Sequence, residues 1–211
     1  MPGSKLRFLV VSGPTREPVD PVRYLSNYST GTMGRFLVDH ATKRGHAVEW
    51  VRCPEDAETA RELTKALKGR IRRANVLFMA AAVCDVRPAA FSRRKIKKDR
   101  LVSLRLEKNP DVLAGLGRKK KPAQVFVGFA LESENAVQNG LEKLRKKHLD
   151  FLLLQKVSAG KKPFGDVTLE AFLLDKSGVK RRFPAVAKKK LAGILIREAE
   201  ALAAAKREQR A

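Results

Sequence analysis

The amino-acid sequence predicts an α/β protein built on a doubly wound, mostly parallel, Rossmann-like sheet. The first observation is that apolar segments of strand length alternate with amphipathic segments of helical length from residue 6 to residue 155. That order is typical of parallel strands joined by helices. The second is that 211 residues, 44% of them hydrophobic, suffice for the core of one domain. We therefore interpret residues 1–211 as a single domain.

The first half of the chain has the clearest periodicity. Leu6 to Val11 are apolar except for Arg7, as in a buried strand, and Phe36, Leu37 and Ala41 then recur at helical spacing. Gly45 and His46 mark a turn before the next apolar run. The patterns predict strands over 6–12, 47–52 and 75–80, and helices over 31–44 and 56–72.

The second half continues the alternation and then departs from it. Lys176-Ser177-Gly178 separates two strand-like segments and predicts a hairpin at the C-terminal side of the sheet. The Ala, Leu, Glu, Lys and Arg content of the last segment is strongly helix-forming, and the basic tail 204–211 is expected to fray. The predicted strands are 124–130, 150–155, 170–175 and 179–184, and the predicted helices are 110–117, 134–148 and 185–207.

Residues 86–107 interrupt the pattern with a polar, basic excursion. Within it Val102, Leu104 and Leu106 alternate with polar residues, which predicts a half-exposed strand. We interpret the segment as a protruding arm outside the core.

A long polar loop, Gly13 to Gly34, joins the first strand to the first helix. Gly31 and Gly34 fall in the first turn of that helix, whose unpaired N–H groups attract anions, and Ser29 or Thr30 could cap it. The spacing matches neither a G-x-G-x-x-G nor a Walker pattern, so glycines that serve only tight packing remain the alternative.

Several blocks, in order, resemble bacterial phosphopantothenoylcysteine synthetase, the C-terminal domain type of the DNA/pantothenate metabolism flavoprotein family. The likeness extends to about Asp150 and thins afterwards. The blocks are Thr-Arg-Glu-Pro at 15–18, Asp-Pro-Val-Arg-Tyr-Leu-Ser-Asn at 20–27, Ser-Thr-Gly-Thr-Met-Gly at 29–34, Ala-Ala-Ala-Val-Cys-Asp at 80–85, Lys-Ile-Lys-Lys at 95–98, Lys-Asn-Pro-Asp at 108–111, Val-Gly-Phe-Ala at 127–130, and Lys143 with Lys147.

The resemblance implies a phosphopantothenate-cysteine ligase of coenzyme A biosynthesis. The carboxylate of 4'-phosphopantothenate would attack the α-phosphate of CTP, a co-substrate, to give an acyl-cytidylate and pyrophosphate, and the amine of cysteine would then displace CMP. Asn27 matches the family's catalytic asparagine, and Lys95 matches a lysine that binds CTP and supports the second half-reaction. Arg23 and Asn27 would bind substrate. Mg²⁺ would bridge the leaving phosphates, and its protein ligands stay unassigned.

The resemblance also implies a set of nucleotide-binding residues, many of which follow predicted strands. Ligands of a doubly wound sheet lie beyond the carboxyl ends of its strands, so these residues are expected to converge. Each of these assignments has a purely structural alternative. Asp85 could be a turn residue, residues 109–111 could be an ordinary helix start, and Lys143 and Lys147 could belong to a solvated helix face. The set is Gly13, Thr15, Ser29, Gly31, Gly34, Ala82, Asp85, Pro110, Asp111, Phe129, Lys143 and Lys147.

Three departures from the family pattern fall near the expected site. Thr32 replaces a lysine, Gln155-Lys156 replaces Asn-Asp, and residues 164–169 lack the usual Asp and Asn pattern. The synthetase-like part starts at residue 6, so we expect a free-standing domain without FMN and a separate flavin-dependent decarboxylase for the next pathway step. The resemblance also implies a homodimer formed through the arm.

The formal charge of +23 indicates anionic ligands or partners. The alternative function is that of a degenerate relative that binds nucleotide or nucleic acid without ligation. Nucleic-acid binding predicts aromatic residues among the basic ones, and the basic segments of this chain contain almost none. We therefore do not favour this alternative. No apolar run reaches the roughly 18 residues that span a bilayer, and no signal-peptide pattern opens the chain. We therefore expect a cytoplasmic protein that binds small molecules and no membrane.

Overall fold

A computed structural model describes residues 5–157 and 163–209. Within these residues the helices are α1 (Thr32–Lys43), α2 (Ala60–Arg70), α3 (Val112–Gly117), α4 (Ala136–Lys146) and α5 (Lys188–Glu208). The strands are β1 (Arg7–Pro14), β2 (Arg16–Asp20), β3 (Arg23–Ser26), β4 (Ala47–Arg52), β5 (Val76–Ala82), β6 (Val86–Pro88), β7 (Leu106–Lys108), β8 (Val125–Glu132), β9 (Phe151–Lys156), β10 (Thr168–Asp175) and β11 (Gly178–Ala187).

The central sheet has seven strands in the order β11-β10-β9-β8-β5-β1-β4. The strands from β9 to β4 are parallel, whereas β10 is antiparallel to both of its neighbours. In the register, Val10 of β1 lies beside Trp50 of β4 and Phe78 of β5. The predicted α/β class, with a mostly parallel Rossmann-like sheet and a C-terminal hairpin, is confirmed.

Helices cover both faces of the sheet, because each strand alternates its side chains between the two faces. Phe8 and Val10 of β1 belong to a core cluster that includes buried residues of α1 and α5. Leu9 and Val11 belong to a second cluster with buried residues of α2, α3 and α4. The sheet is therefore packed between two apolar layers, which fix the position of the edge at which its parallel strands end.

The long loop predicted after the first strand contains a β-hairpin, formed by β2 and β3. Asp20 closes its turn by accepting from the N–H of Val22 (2.9 Å) and from the guanidinium group of Arg23 (3.0 Å). An isolated two-stranded hairpin is only marginally stable in water. Glu17 attaches this one to the start of α2, where its carboxylate accepts from the N–H of Ala60 at 2.9 Å.

The strand predicted over 102–106 is wrong in its extent. Only β7 is extended, and it pairs with β6 at the base of the arm. Val102 is 85% exposed and lies outside any strand. Alternation of apolar and polar residues did not produce a longer strand here. The N–H of Leu101 bonds back to the carbonyl of Lys98 (3.2 Å), and the β6–β7 pairing continues only as far as the bond from the N–H of Ala89 to the carbonyl of Arg105 (2.9 Å) in the described residues.

The predicted fraying of the C-terminal tail also needs correction. Helix α5 continues to Glu208, and Lys206 Nζ donates to Asp150 Oδ1 (2.6 Å) and to the carbonyl of Gln124 (2.8 Å). Asp150 is buried and also accepts from Lys120 (2.7 Å). This cluster ties the last turns of α5 to the sheet, a long-range contact that the local sequence does not reveal. Residues 210–211 lie outside the described part.

The sequence predicts no membrane-spanning segment, because it has no apolar run of sufficient length. In the described parts of the chain, no helix has both the length and the hydropathy to cross a bilayer.

Candidate functional site

A cavity of about 380 Å³ opens at the carboxyl edge of the sheet. Its walls come from the ends of β5, β8 and β9 and from the segment leading into α1. Parallel strands that end at one edge bring together residues far apart in sequence. Ten of the predicted site residues line this cavity: Asn27, Ser29, Gly31, Ala82, Asp85, Pro110, Asp111, Phe129, Lys143 and Lys147.

Gly13 and Gly34 lie outside the cavity wall and have a packing role. A Cβ atom on Gly34 would lie 2.1 Å from Cβ of Ser12, so helix α1 can approach β1 only without a side chain there. Gly13 has a φ of +85°, and a Cβ atom on it would lie 2.0 Å from the carbonyl oxygen of Cys53. Their contacts are those of the packing alternative, and their part in nucleotide binding stays a prediction.

Thr15 is fully buried behind the cavity wall. Its hydroxyl oxygen accepts from the N–H of Cys84 (2.9 Å), and its carbonyl oxygen accepts from the hydroxyl of Ser26 (2.8 Å). Thr15 therefore links the β2–β3 hairpin to the turn after β5. It contacts the wall from behind and does not line the cavity.

Arg23 and Lys95 also lie outside the lining of this cavity. Arg23 donates to Asp20 and to the carbonyl oxygen of Ile96 (3.1 Å), and the N–H of Ile96 donates to Asp20 (3.1 Å). These bonds fasten the arm to the hairpin and leave Lys95 exposed on it. Burial would raise the pKa of the Asp20 carboxyl group, but the hydrogen bonds from Val22, Ile96 and Arg23 and the charge of Arg23 lower it overall.

Asn27 lies just after β3, with its carboxamide against the turn that follows β5. Its Nδ2 donates to the carbonyl oxygen of Ala82 (3.0 Å) and contacts Sγ of Cys84 at 3.7 Å. Since sulfur is a weak acceptor, one N–H of the carboxamide is held firmly and the other is available to a stronger acceptor. Burial raises the pKa of the Cys84 thiol, which favours the neutral form.

Helix α1 begins at the cavity without a side-chain cap. Gly31 is the N-cap residue with a φ of 69°, so neither Ser29 nor Thr30 caps the helix as the sequence suggested. Instead the hydroxyl groups of Thr30 and Thr32 bond to each other at 2.8 Å. The first turn has no acidic residue, so its N–H groups and helix dipole favour an anion.

The Asn109–Asp111 block closes the cavity below Asp85. Asn109 donates its side-chain amide to the carbonyl of Cys84 (3.0 Å) and its backbone N–H to that of Asp85 (2.8 Å). Asp111 caps α3 by accepting from the N–H of Ala114 at 3.0 Å, so it occupies the N-cap position, one residue later than Pro110. The block therefore begins helix α3 and also lines the cavity, so the two alternatives from the sequence do not exclude each other.

Lys143 and Lys147 each face a carboxylate at the cavity rim. Lys143 bonds to Glu132, and Lys147 Nζ lies 3.0 Å from Asp111 Oδ2. Burial of Asp111 would raise its pKa, but the bonds from Ala114 and Lys147 and the positive charges of Lys147 and Lys146 lower it overall. The carboxylates hold both ammonium groups beside the cavity.

The cavity also has lining residues outside the predicted set of catalytic and ligand-binding residues, although the sequence analysis placed Thr30, Gln155 and residues 164–169 near the site. Thr30, Gln155 and Phe164 belong to its wall, and so does Lys188 at the start of α5. Lys188 could have been found from strand directions, because β11 ends at the same edge as β9. That deduction requires the pairing of β10, which the local sequence does not give.

No cage for a metal ion is built from protein side chains in the described residues, where groups of three or more His, Cys, Asp or Glu at metal-binding separations do not occur. Mg²⁺ retains water and binds nucleotide sites through one or two carboxylates together with phosphates. Asp85 and Asp111 are the carboxylates of the cavity lining. The donor set therefore fits a magnesium ion that arrives with a nucleotide.

Comparison with known proteins gives relatives over nearly the whole chain. A cysteine/cysteine sulfinic acid decarboxylase from an unknown prokaryotic organism is 35% identical over 207 residues, covering 91% of this chain and 57% of that protein. The coenzyme A biosynthesis bifunctional protein CoaBC of Escherichia coli strain K12 is 35% identical over 168 residues, covering 72% of this chain and 41% of CoaBC. The chain thus spans about half the length of these curated relatives.

Solved structures share the fold. The crystal structure of the C-terminal domain of a CoaBC protein has a TM-score of 0.76 and 27% identity, covering 95% of this chain and 96% of that domain. A Cab2 mutant in complex with phosphopantothenate-cysteine has a TM-score of 0.75 and 14% identity, covering 97% of this chain and 88% of that one, a likeness of fold alone. The family model described as the DNA/pantothenate metabolism flavoprotein C-terminal domain matches residues 4–202. With sequence, fold and the strand-end cavity all in agreement, the chain belongs to that family.

Proposed function

We propose that the protein is a ligase that joins 4'-phosphopantothenate to cysteine with CTP, through an acyl-cytidylate, in coenzyme A biosynthesis. The observation that carries the proposal is that the Asn27 carboxamide, the uncapped start of α1 and two lysines line one cavity. The names of the CoaBC relatives and the family membership support the same pathway.

The first step must bring two anions together. A carboxylate and a phosphate oxygen about 4 Å apart repel each other by about 4 kcal/mol at an effective dielectric constant of about 20. The N–H groups at the start of α1 and the Asn27 carboxamide are fixed donors at the cavity, so they reduce this repulsion without reorganising during the reaction. Asn27 would hold oxygens of the acyl phosphate, and a carboxamide is not a competing nucleophile.

The leaving pyrophosphate needs positive charge at the other side of the nucleotide. Lys143 and Lys147 are one helical turn apart at the rim, so both ammonium groups can exchange their carboxylate partners for phosphate oxygens. CTP would enter as its magnesium complex, with Asp85 or Asp111 as a protein ligand. The metal would neutralise charge on the phosphates, and the lysines would position them.

The second step transfers the acyl group to the amine of cysteine. The small side chains at the end of β5, Ala80 to Ala82, leave room against the backbone for the nucleotide. Lys95 would act in this step from the arm. Since Lys95 is exposed outside this cavity, the role requires movement of the arm or a second copy of the chain.

A homodimer would provide such a second copy. Large apolar side chains are exposed on the hairpin and the arm, and exposed apolar patches commonly mark interfaces. They are Val22 (60%), Tyr24 (49%), Val86 (36%), Phe91 (54%), Val102 (85%) and Leu106 (45%). Their concentration on two adjoining segments favours pairing of the arms about a twofold axis.

Decarboxylation, the activity in the name of the first relative, is less well supported. Only the name of that one relative supports it, whereas the family model over residues 4–202, the CoaBC relative and the solved CoaBC domain all support the ligase. Binding of nucleic acid without ligation rests on charge alone.

The direct test is to incubate the purified protein with CTP, 4'-phosphopantothenate, cysteine and Mg²⁺ and to measure CMP and the cysteine amide. We expect both products in equal amounts, and none when any one substrate is omitted. Parallel reactions with ATP measure base preference. Release of CO₂ from cysteine without amide formation would favour decarboxylation and contradict the proposal.

A further inference from the structure

The start of α5 places a buried lysine in the wall of the cavity. Lys188 is 6% exposed and directly follows β11. β11 is antiparallel to β10, which is antiparallel to β9, so β11 runs in the direction of β9 and ends at the same edge. Lys188 therefore reaches the cavity by the topological rule that places the other site residues.

The ammonium group of Lys188 bonds to carbonyl oxygens. Its Nζ donates to Pro163 (2.9 Å) and to Gly165 (2.6 Å). An ammonium group has three N–H donors, so one donor remains after these two bonds within the part of the chain that the structure describes. In ranges 5–157 and 163–209 no carboxylate forms an ion pair with it. Burial lowers the pKa of Lys188, and the charge of Asp166 opposes that effect.

Gly165 connects this lysine to the segment before α1. The N–H of Gly165 donates to the hydroxyl group of Thr30 (3.2 Å), and the Gly165 carbonyl accepts from Lys188. Thr30 lies one residue before the N-cap of α1, where backbone N–H groups favour an anion. The Lys188 ammonium group and the start of α1 thus belong to the same wall.

The position of Lys188 is unfavourable for a cation unless an anion is nearby. It occupies the first turn of α5, which contains no acidic residue, and the dipole of a helix is positive at that end. A buried positive charge without a carboxylate partner is also destabilising. A phosphate group in the cavity would relieve both effects and accept from the remaining N–H donor.

We propose that Lys188 binds a phosphate group of a substrate, on the side of the cavity formed by α1 and α5. The inference rests on the proposed function, which supplies two sources of phosphate: the polyphosphate chain of CTP and the single phosphate of 4'-phosphopantothenate. Lys188 is then a binding residue of the ligase, and its hydrogen bonds to Pro163 and Gly165 aim its third donor at the ligand.

The test compares wild type, Lys188→Met and Lys189→Met by calorimetry with CTP, CMP, 4'-phosphopantothenate and pantothenate. Lys189 is the exposed neighbour, so Lys189→Met makes the same charge change outside the cavity. We expect Lys188→Met to raise the Kd of one phosphate ligand about tenfold or more, as for a lost charged hydrogen bond. Pantothenate, which has no phosphate group, should bind as to wild type, CMP should weaken only if Lys188 contacts the α-phosphate, and Lys189→Met should change nothing.

Selective weakening of CTP relative to CMP assigns Lys188 to the polyphosphate chain, and selective weakening of 4'-phosphopantothenate relative to pantothenate assigns it to the acyl substrate. Unchanged binding of both phosphate ligands to Lys188→Met overturns the inference and leaves the proposed function intact. If wild type binds neither ligand, the proposed function fails and the inference fails with it.

A second measurement uses the wild-type protein, in case Lys188→Met does not fold. In NMR of protein labelled at lysine Cε, with the Lys188 signal assigned from Lys188→Arg, that signal should shift when a phosphate ligand saturates the site. The Lys189 signal should stay in place. A Lys188 signal that is unaffected by saturating CTP and by saturating 4'-phosphopantothenate contradicts the proposal.

Discussion

The side-chain amide of Asn27 donates a hydrogen bond of 3.0 Å to the carbonyl oxygen of Ala82. This bond joins the segment after β3 to the end of β5 across 55 residues of sequence. It fixes the carboxamide at the cavity before any ligand binds, and such preorganisation is what a group that stabilises a transition state requires.

Gly34→Ala should destabilise the protein, whereas Gly69→Ala should not. The new Cβ atom at position 34 would lie 2.1 Å from Ser12 Cβ, and overpacking of this kind costs about 1–3 kcal/mol. At Gly69, in helix α2, a Cβ atom has open space, and alanine should add about 0.5–1 kcal/mol. Urea unfolding at neutral pH measures both. A Gly34→Ala variant as stable as wild type would show that α1 can move away from β1 without loss.

Lys143→Met should raise the KM for CTP about tenfold or more, because a charged hydrogen bond to phosphate is lost. Lys146→Met is the control, since Lys146 is exposed on the same helix and does not line the cavity. Steady-state rates at varied CTP measure the effect. Equal KM values for the two variants would remove Lys143 from the nucleotide site.

Stability should depend on Glu200 at acid pH. Burial would raise the pKa of Glu200, but hydrogen bonds from Arg44 (2.6 and 2.7 Å) and His46 (2.6 Å) lower it overall below 4.5. A carboxyl group whose pKa is lowered by folding stabilises the protein above its unfolded pKa, and this contribution disappears as the pH falls through the folded value.

Urea unfolding between pH 7 and pH 3 tests this expectation. Glu200→Gln should lower the stability by about 1 kcal/mol or more at pH 7 and remove part of the loss on acidification. Glu198→Gln is the control, because Glu198 has only a looser contact with Lys180 at 3.7 Å. A pH profile of Glu200→Gln that parallels wild type would assign the acid sensitivity to other groups.

Light scattering after size exclusion should give twice the chain mass of 23.5 kDa. Val102→Asp should shift the protein towards monomer, because a charge would be buried in the arm interface. Val179→Asp, at a side chain that is 48% exposed on the C-terminal hairpin, should leave the mass unchanged. A wild-type monomer would contradict the homodimer, and Lys95 could then not act at the cavity of a second copy of the chain.

The order of strands and helices could be predicted because each core element has its own hydrophobic period. The approach of Asn27 and Asp85 also followed from the sequence, since Asn27 lies in the loop after the first parallel strand and Asp85 follows β5. Asp111 follows β7, outside the main sheet, and its place at the site was implied only by the family resemblance. Contacts between distant segments were less accessible. Gly34 packs on Ser12, Lys206 bonds to Asp150, and neither partner is marked by local spacing.

The β2–β3 hairpin and Lys188 were missed for a related reason. The hairpin depends on Asp20 and on anchoring to α2 and the arm, so its strands lack a strong period of their own. Lys188 sits in a run of three lysines that reads as a solvated helix start. Only the antiparallel pairing of β10 reveals that one of the three is buried at the cavity.

The most direct test of the account is the rate of amide formation by Asn27→Ala, with CTP, 4'-phosphopantothenate and cysteine at saturation. Gln138→Ala, which removes a carboxamide from the exposed face of α4, is the matched control. We predict that Asn27→Ala lowers kcat about 10²–10³-fold, as for a lost transition-state donor, and that Gln138→Ala reacts like wild type. Wild-type turnover by Asn27→Ala would contradict the central claim.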